Sequence, residues 1–265
     1  MDRQKIIASL GESKEDQVLL ARVWDKITMG ERKNIPAASC FLTGREQILC
    51  QRMFRQAGIP EPLFFGGTEE AERRVAVYVP DYLDQTSYLY GEEGPVTALR
   101  VRYSAYDTLS HRDFLGSLMG QGIKREILGD LFPGAGSCDI LVLREMGEYL
   151  VRQLTHVGRA TVQAEIIALS ALEIPEQKVK RVTDTVASLR LDSIVASGFQ
   201  QGRGKAVGYI QAGKVELNHL PVGKPDAAVE EGDLISLRGL GKLRVAQVKG
   251  QTKKGRIAVV LERFL

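Results

Sequence analysis

The central part of the chain follows an order of strands and helices that few folds accommodate. Leu99 and Val101 alternate with Arg100 and Arg102, which is the two-residue period of a half-buried strand. After this strand the sequence predicts a helix, two strands, a second helix and a last strand. The β-α-β-β-α-β order is the ferredoxin-like arrangement shared by many RNA-recognition domains. We therefore predict a ferredoxin-like (RRM-like) α+β domain over residues 68–178.

Local signals mark the later elements of this domain. Ser110, with Asp113 three residues later, is placed to cap a helix. Two short strands flank the turn at Pro133-Gly134. No strand has the aromatic K/R-G-F/Y-G/A-F pattern, so base stacking on the sheet is not predicted. Arg100 and Arg102 could touch phosphates, but a solvated sheet face is the favoured interpretation.

The N-terminal region, residues 1–67, carries helix signals. Thr43 and Glu46 form the pattern of a capping box, and the helix that they open stops at Gly58. Another helix is indicated by four apolar residues at helical spacing: Leu20, Val23, Trp24 and Ile27. We predict a helical N-terminal segment, so that the whole chain is an α+β protein with three regions.

Composition excludes several classes of protein. The 265 residues are 44% hydrophobic and 26% charged, which is typical of globular proteins with two or three compact units. The sequence contains no long apolar run and no N-terminal signal pattern, so we expect a cytoplasmic protein without a membrane partner. Three scattered cysteines predict buried thiols rather than a disulfide framework or a zinc site: Cys40, Cys50 and Cys138.

Charge is unevenly distributed along the chain. Residues 181–265 contain 14 Lys and Arg against 8 Asp and Glu, a net charge of +6. Residues 1–180 contain 22 basic against 25 acidic residues, a net charge of −3. A basic C-terminal region suggests a polyanionic partner, although a solvated basic face is equally compatible with charge alone.

The third region, residues 179–265, predicts two short helices followed by strands. The second helix begins at Gly202-Arg203, where free backbone N–H groups and the positive end of the helix dipole favour a phosphate. Arg203 and Lys205 add full charges in the first helical turn, and a guanidinium group can hold a phosphate with two hydrogen bonds. We predict that this helix start binds an RNA backbone.

This region resembles the S4-type RNA-binding domain. The matching residues are Arg190-Leu-Asp192, Gly202-Arg-Gly-Lys-Ala206, Gly213-Lys-Val215 with Asn218, and Gly232-Asp233. The family usually has Ser where Gly202 stands, a change that costs a helix cap only a few tenths of a kcal/mol. The predicted RNA-binding residues are Arg190, Arg203, Lys205, Lys214 and Asn218, and the basic tail would extend them with Arg238, Lys242, Lys253, Lys254 and Arg256.

The resemblance to a known family extends over essentially the whole chain. Three upstream segments are similar to the YlmH-like family: Phe41–Gln47, Phe65-Gly-Gly67 with Glu72-Arg73, and His111–Gly116 with Gly122–Glu126 and Gly129-Asp130. Membership implies RNA binding on the ribosome, and the expected partner is structured rRNA or tRNA on the large subunit. For some members it implies rescue of stalled subunits that carry peptidyl-tRNA. A related branch of the family is labelled as photosystem II S4-domain assembly proteins, and a function of that kind is retained as an alternative. Secondary RNA contacts are predicted at His111, Arg112, Lys124 and Arg125.

Motifs that resemble catalytic sequences lack essential parts. His111-Arg-Asp113 matches a kinase tripeptide, but Leu118 stands where a kinase needs Asn. Arg190-Leu-Asp192 resembles a segment of pseudouridine synthases, so an RNA-modifying enzyme of that kind stays an alternative. The three histidines show no metal-ligand or triad spacing. We therefore predict no enzyme activity, no catalytic residue, no metal, no cofactor and no small-molecule substrate.

Overall fold

A computed structural model describes residues 2–253 and 255–265. The chain divides into two compact units, Met1–Pro175 and Glu176–Leu265. The division lies three residues before the domain boundary that the sequence predicts after residue 178. Within the described ranges, no helix is long and apolar enough to cross a bilayer.

The first unit begins with three helices that pack on a small sheet. Thr43 caps the third of them as predicted: Glu46 N donates to Thr43 Oγ1 at 3.4 Å, and Thr43 N donates to Glu46 Oε2 at 2.6 Å. This helix ends at Gly58, whose φ of 70° is in the left-handed region that favours glycine. The helices are α1 (Arg3–Leu10), α2 (Lys14–Lys33) and α3 (Gly44–Ala57).

The N-terminal region also contains strands, which the helical prediction did not include. They form an antiparallel sheet in the order β1-β3-β2, followed by the short helix α4. Because β3 lies beyond residue 67, this sheet crosses the predicted boundary between the first two domains. The elements are β1 (Ala37–Leu42), β2 (Leu63–Phe65), β3 (Arg74–Tyr78) and α4 (Gln85–Tyr90).

The cap of α3 gives a stability prediction. Changing Thr43 to Ala removes the oxygen that accepts from the Glu46 amide, so the free energy of unfolding should fall by about 1 kcal/mol. Urea denaturation measures this loss. Thr43→Ser keeps the hydroxyl and is the matched control, expected to stay close to the wild type. An equal loss in both variants would contradict the cap as the cause.

The central domain has the ferredoxin-like topology that the sequence predicts. Its four long strands form an antiparallel sheet in the order β5-β6-β4-β9. A short hairpin, whose strands β7 and β8 have two residues each, precedes the last strand. The strands are β4 (Val96–Arg102), β5 (Leu128–Pro133), β6 (Ser137–Leu143), β7 (His156–Val157), β8 (Ala160–Thr161) and β9 (Gln163–Ile167). The helices are α5 (His111–Gly120) and α6 (Arg144–Gln153).

Both faces of this central sheet are covered over much of their area. Phe114 of α5 and Leu150 of α6 pack with the strands in one apolar cluster. Ala98 and Leu141 belong to a second cluster, which contains Phe41 of the N-terminal sheet. The face on which RRM-type domains stack bases is therefore partly occupied by protein, in agreement with the missing aromatic strand pattern.

Two of the three cysteines are buried, as the sequence predicts, and the third is not. Cys50 and Cys138 are buried, and desolvation raises the pKa of each thiol to about 12. Cys40 is only half-buried, because its strand β1 leaves it partly open to solvent. All three are free thiols.

The second unit combines two helices with a six-stranded antiparallel sheet in the order β10-β15-β14-β13-β11-β12. Its core holds both predicted helices and the predicted C-terminal hairpin. The edge strand β10 was not predicted. The elements are β10 (Val179–Val186), α7 (Leu191–Gly198), α8 (Arg203–Gln211), β11 (Val215–Leu217), β12 (Leu220–Pro221), β13 (Leu234–Leu237), β14 (Gly241–Gln251) and β15 (Ile257–Phe264).

Candidate nucleic-acid interface

The start of α8 is open to solvent. Gly202 is its N-cap and makes no side-chain capping bond, and Arg203, Gly204 and Lys205 are exposed. A Cβ atom placed on Gly202 or Gly204 would meet nothing within 4 Å. Throughout the described residues, no acceptor binds the amides of Arg203, Gly204 and Lys205. Three backbone donors and two cationic side chains therefore face water, which suits an anionic ligand.

The start of α7, in contrast, is closed by the chain itself. Leu191 N donates to Ala227 O and Asp192 N donates to Pro225 O, both at 2.9 Å. The first amides of α7 are therefore satisfied by a loop, whereas those of α8 are not. In the described part of this unit, the start of α8, which the sequence predicts as a phosphate site, keeps its amides open, whereas the start of α7 does not.

Arg190 and Arg203 are brought together by a single buried carboxylate. Asp192 Oδ2 accepts from Arg203 Nε at 3.0 Å and lies 2.9 Å from Arg203 Nη2. Asp192 Oδ1 lies 3.5 Å from Arg190 Nε. The Asp192 side chain is 4% exposed, against 57% for Arg203 and 44% for Arg190. Two predicted RNA-binding arginines thus share one internal partner and keep roughly half of their surface in water.

A shallow pocket of about 310 Å³ is lined by both Arg203 and Arg256. Arg256 donates from Nε to Thr185 Oγ1 at 2.9 Å and from Nη2 to the Thr185 carbonyl oxygen. Lys253, in the same β14–β15 turn, is exposed. The predicted Lys254 falls outside the described residues. The pocket also contains Asp184, whose carboxylate accepts from Ser197 Oγ at 2.7 Å.

Three other predicted cations of this unit lie apart from the pocket beside Arg203: Lys214, Arg238 and Lys242. Arg238 N donates to Lys214 O at 2.9 Å, which places these two residues side by side. Lys242 lies two positions into β14 and pairs with Ser236. Gln251, near Arg256, ends the same strand nine residues later, roughly 30 Å away at ~3.3 Å per residue. The single continuous surface that was predicted is therefore two groups at opposite ends of the long hairpin.

Asn218 has a structural role in place of the predicted contact with RNA. Its Nδ2 donates to Asp233 Oδ1 at 2.7 Å, and its Oδ1 accepts from Leu234 N at 2.9 Å. Asn218 and His219 have φ values of 48° and 64°, as the tight turn between β11 and β12 requires. Because the turn engages both amide atoms, we remove Asn218 from the candidate surface.

The predicted secondary site in the central domain is only partly available. His111, Arg112 and Lys124 are exposed, but Arg125 is half-buried and donates from Nη1 to the carbonyls of Leu128 and Gly129. Desolvation lowers the pKa of Arg125 to about 10. Desolvation, followed by the charge of Arg125, lowers the pKa of His111, which disfavours the cation that a phosphate would prefer. Arg125 is therefore a structural residue.

Arg100 and Arg102 on the central sheet are both paired with acids. Arg100 donates from Nε and Nη2 to Asp139 at 2.8 and 2.7 Å, and its side chain is 11% exposed. Arg102 binds Glu165 at 2.8 Å in a more open position. Asp139 holds Arg100 in the protein, so the solvated face that was favoured is wrong for Arg100. Arg102 is 60% exposed, in agreement with that interpretation.

Comparisons with known proteins follow the same division of the chain. The family model described as "Putative RNA-binding domain in YlmH" matches residues 93–171, and the S4 domain model matches residues 189–235. The ribosome-associated protein quality control protein P2 of Bacillus subtilis (strain 168) is 36% identical over 224 residues, which cover 84% of this chain and 85% of that protein. The chain belongs to the YlmH-like family. Its second unit carries an S4-type RNA-binding domain.

One solved structure is also similar. "Cell division protein ylmH" from Streptococcus pneumoniae superposes with a TM-score of 0.48 at 20% identity, covering 62% of this chain and 98% of that one. The assignment to the YlmH-like family rests on the sequence relative and the domain matches.

Several upstream residues that resemble the YlmH-like family meet at one place inside the first unit. Asp130 accepts from the amides of Glu72 and Arg73 at 2.7 and 3.2 Å. Arg73 donates from Nε to Leu128 O and from Nη2 to Phe41 O. Desolvation lowers the pKa of Arg73. These family residues therefore tie the N-terminal sheet to the central domain.

The residues that hold the arginines in place are not predicted from the sequence. Asp192 enters the sequence-based prediction only as part of a motif, and Thr185 does not enter it. The position of Asp192, two residues after Arg190 at a helix start, is the signal in the sequence that could have indicated its contact with an arginine. Nothing in the local sequence connects Thr185 with Arg256, because the contact spans 71 residues.

Proposed function

We propose that this YlmH-like protein docks structured rRNA or tRNA on the ribosome, and that it acts in the cytoplasm on large subunits stalled with peptidyl-tRNA. The observation that carries the proposal is the open start of α8, where Arg203 and Lys205 stand beside three backbone amides that have no acceptor among the described residues. The name of the Bacillus subtilis relative, a ribosome-associated quality control protein, supports the setting.

The chemistry of this surface favours recognition of the RNA backbone over recognition of base sequence. Guanidinium, ammonium and amide groups are the usual partners of phosphate oxygens, which position a protein without reading sequence. Arg190 and Arg203 both contact the Asp192 carboxylate and therefore lie close together, so they suit phosphates held at a fixed spacing by a folded RNA. We therefore propose that the shape of the RNA determines where the protein binds.

The ribosomal proposal is tested by sedimentation. Tagged protein in a cell extract should migrate with large ribosomal subunits through a sucrose gradient, and nuclease treatment should release it. Sequencing of crosslinked RNA from the same fractions identifies the contacted rRNA or tRNA. Migration only with small subunits would refute the large-subunit proposal. Retention by proteins after complete nuclease digestion would refute RNA docking.

We propose binding without catalysis. If the protein modified RNA, as a pseudouridine synthase does, a deletion strain would lack a modified nucleotide. Mass spectrometry of rRNA and tRNA from that strain should show every modification that the parent strain has. A single missing modification, restored by the wild-type chain, would make the enzyme alternative correct.

A further inference from the structure

Asp192 is an unexpected group for a surface that binds a polyanion. Its side chain is 4% exposed, and it carries a negative charge directly behind the two arginines of the candidate interface. Because like charges repel, this carboxylate should weaken the attraction of the surface to RNA. A carboxylate at such a position needs a compensating role.

We propose that Asp192 is a positioning residue for RNA binding, which fixes Arg203 and Arg190 in the orientation that receives RNA phosphates. The inference rests on the proposed function and extends it to a residue that does not touch the RNA. Each carboxylate oxygen serves one arginine: Oδ2 accepts from Arg203 Nε at 3.0 Å, and Oδ1 lies 3.5 Å from Arg190 Nε.

The geometry leaves the outer edge of Arg203 free. A guanidinium group has five N–H donors, and Asp192 engages the edge formed by Nε and Nη2. The remaining hydrogens on Nη1 and Nη2 form the end of the fork, which can hold two oxygens of one phosphate. A long arginine side chain otherwise loses much rotamer freedom on binding, and a partner that orders it beforehand lowers that cost.

Asp192 is itself held firmly enough to do this. It lies in the first turn of α7, where a negative charge is favoured by the helix dipole, and its amide is bonded to Pro225 O at 2.9 Å. Ser193 Oγ donates to Asp192 Oδ1 at 3.3 Å. The carboxylate is thus fixed to the helix core, and the two arginines are fixed to the carboxylate.

The test is Asp192→Asn in the full chain, because the two possible effects of the change have opposite signs. The positioning role predicts that the Kd for a structured rRNA fragment rises about tenfold. It also predicts that the slope of log Kd against log salt flattens by roughly 0.7 to 0.9, the value of one phosphate contact. Asp184→Asn is the matched control. It removes the same charge from the neighbouring pocket, where the carboxylate accepts from Ser197 Oγ and from Thr185 N and, among the described residues, forms no ion pair with an arginine.

Stronger or unchanged RNA binding by Asp192→Asn, as expected for Asp184→Asn, would overturn the inference. A fall in thermal stability with an unaltered salt slope would also overturn it, because that result indicates a structural role only. If Asp192→Asn does not fold, Arg203→Lys replaces it. That variant keeps the charge but loses the fork, so it should weaken binding, and wild-type affinity would overturn the inference.

A double-mutant comparison separates this inference from the proposed function. In an Arg190→Ala/Arg203→Ala background, Asp192→Asn should no longer weaken RNA binding, because its positioning role passes through those side chains. A persisting loss of affinity would overturn the inference. If alanine at Arg203 and Lys205 leaves RNA binding unchanged, the proposed function itself fails. If that variant weakens binding while Asp192→Asn does not, only the positioning role fails.

Discussion

Replacing Arg203 and Lys205 together with alanine should weaken binding to a structured rRNA fragment about tenfold or more at low salt. Both side chains lie in the first turn of α8, beside amides that nothing in the described chain occupies. Two lost phosphate contacts should flatten the slope of log Kd against log salt by one to two units, at roughly 0.7 to 0.9 per contact. Titration at several salt concentrations measures both quantities.

The matched control removes two lysines elsewhere in the chain. Lys5 and Lys14 are exposed on the N-terminal helices, and their alanine variant has the same net charge as the Arg203/Lys205 variant. This control should bind RNA nearly as the wild type does. Equal losses in the two variants would indicate general attraction to the whole protein, and a loss in neither would refute the assignment of the site.

The largest expected effect on stability comes from Arg100. Its guanidinium group holds Asp139, whose side chain is 1% exposed, with two hydrogen bonds at 2.8 and 2.7 Å. The bonded carboxylate raises the pKa of Arg100 further above its ordinary value. Arg100→Ala leaves a buried charge without its partner, which costs on the order of 3–5 kcal/mol of unfolding free energy. Denaturation of the full chain in urea, followed by circular dichroism, measures the loss.

Arg102 provides the comparison on the same strand. It lies two residues away and also pairs with a carboxylate across the sheet, but its side chain is 60% exposed. Arg102→Ala should therefore cost less than about 1 kcal/mol, as exposed ion pairs usually do. Similar losses in the two variants would show that burial of the pair is not what makes Arg100 important.

Elements with local signals could be predicted from the sequence, and elements that depend on distant contacts could not. The capping boxes at Thr43 and Ser110 involve residues three positions apart, so the starts of α3 and α5 were readable. Strand β1, in contrast, has the sequence Ala-Ala-Ser-Cys-Phe-Leu, which lacks clear alternation. It is a strand because β3, more than thirty residues later, pairs with it.

The same distinction applies to the candidate site. The open start of α8 was predicted from Gly202, Arg203 and Lys205, which are neighbours in sequence. The burial of Asp192 behind Arg203 depends on the packing of α7 against α8. The separation of the basic tail into two groups depends on the length of β14, which sequence composition does not contain.

The central claim is that RNA phosphates contact the start of α8, and chemical crosslinking of lysines to RNA tests it most directly. Full-length protein bound to large ribosomal subunits is crosslinked, digested and analysed by mass spectrometry. We predict RNA attached to Lys205, and none attached to Lys5 or Lys14 on the N-terminal helices. Crosslinks on those two lysines, with Lys205 unmodified in the bound complex, would contradict the account.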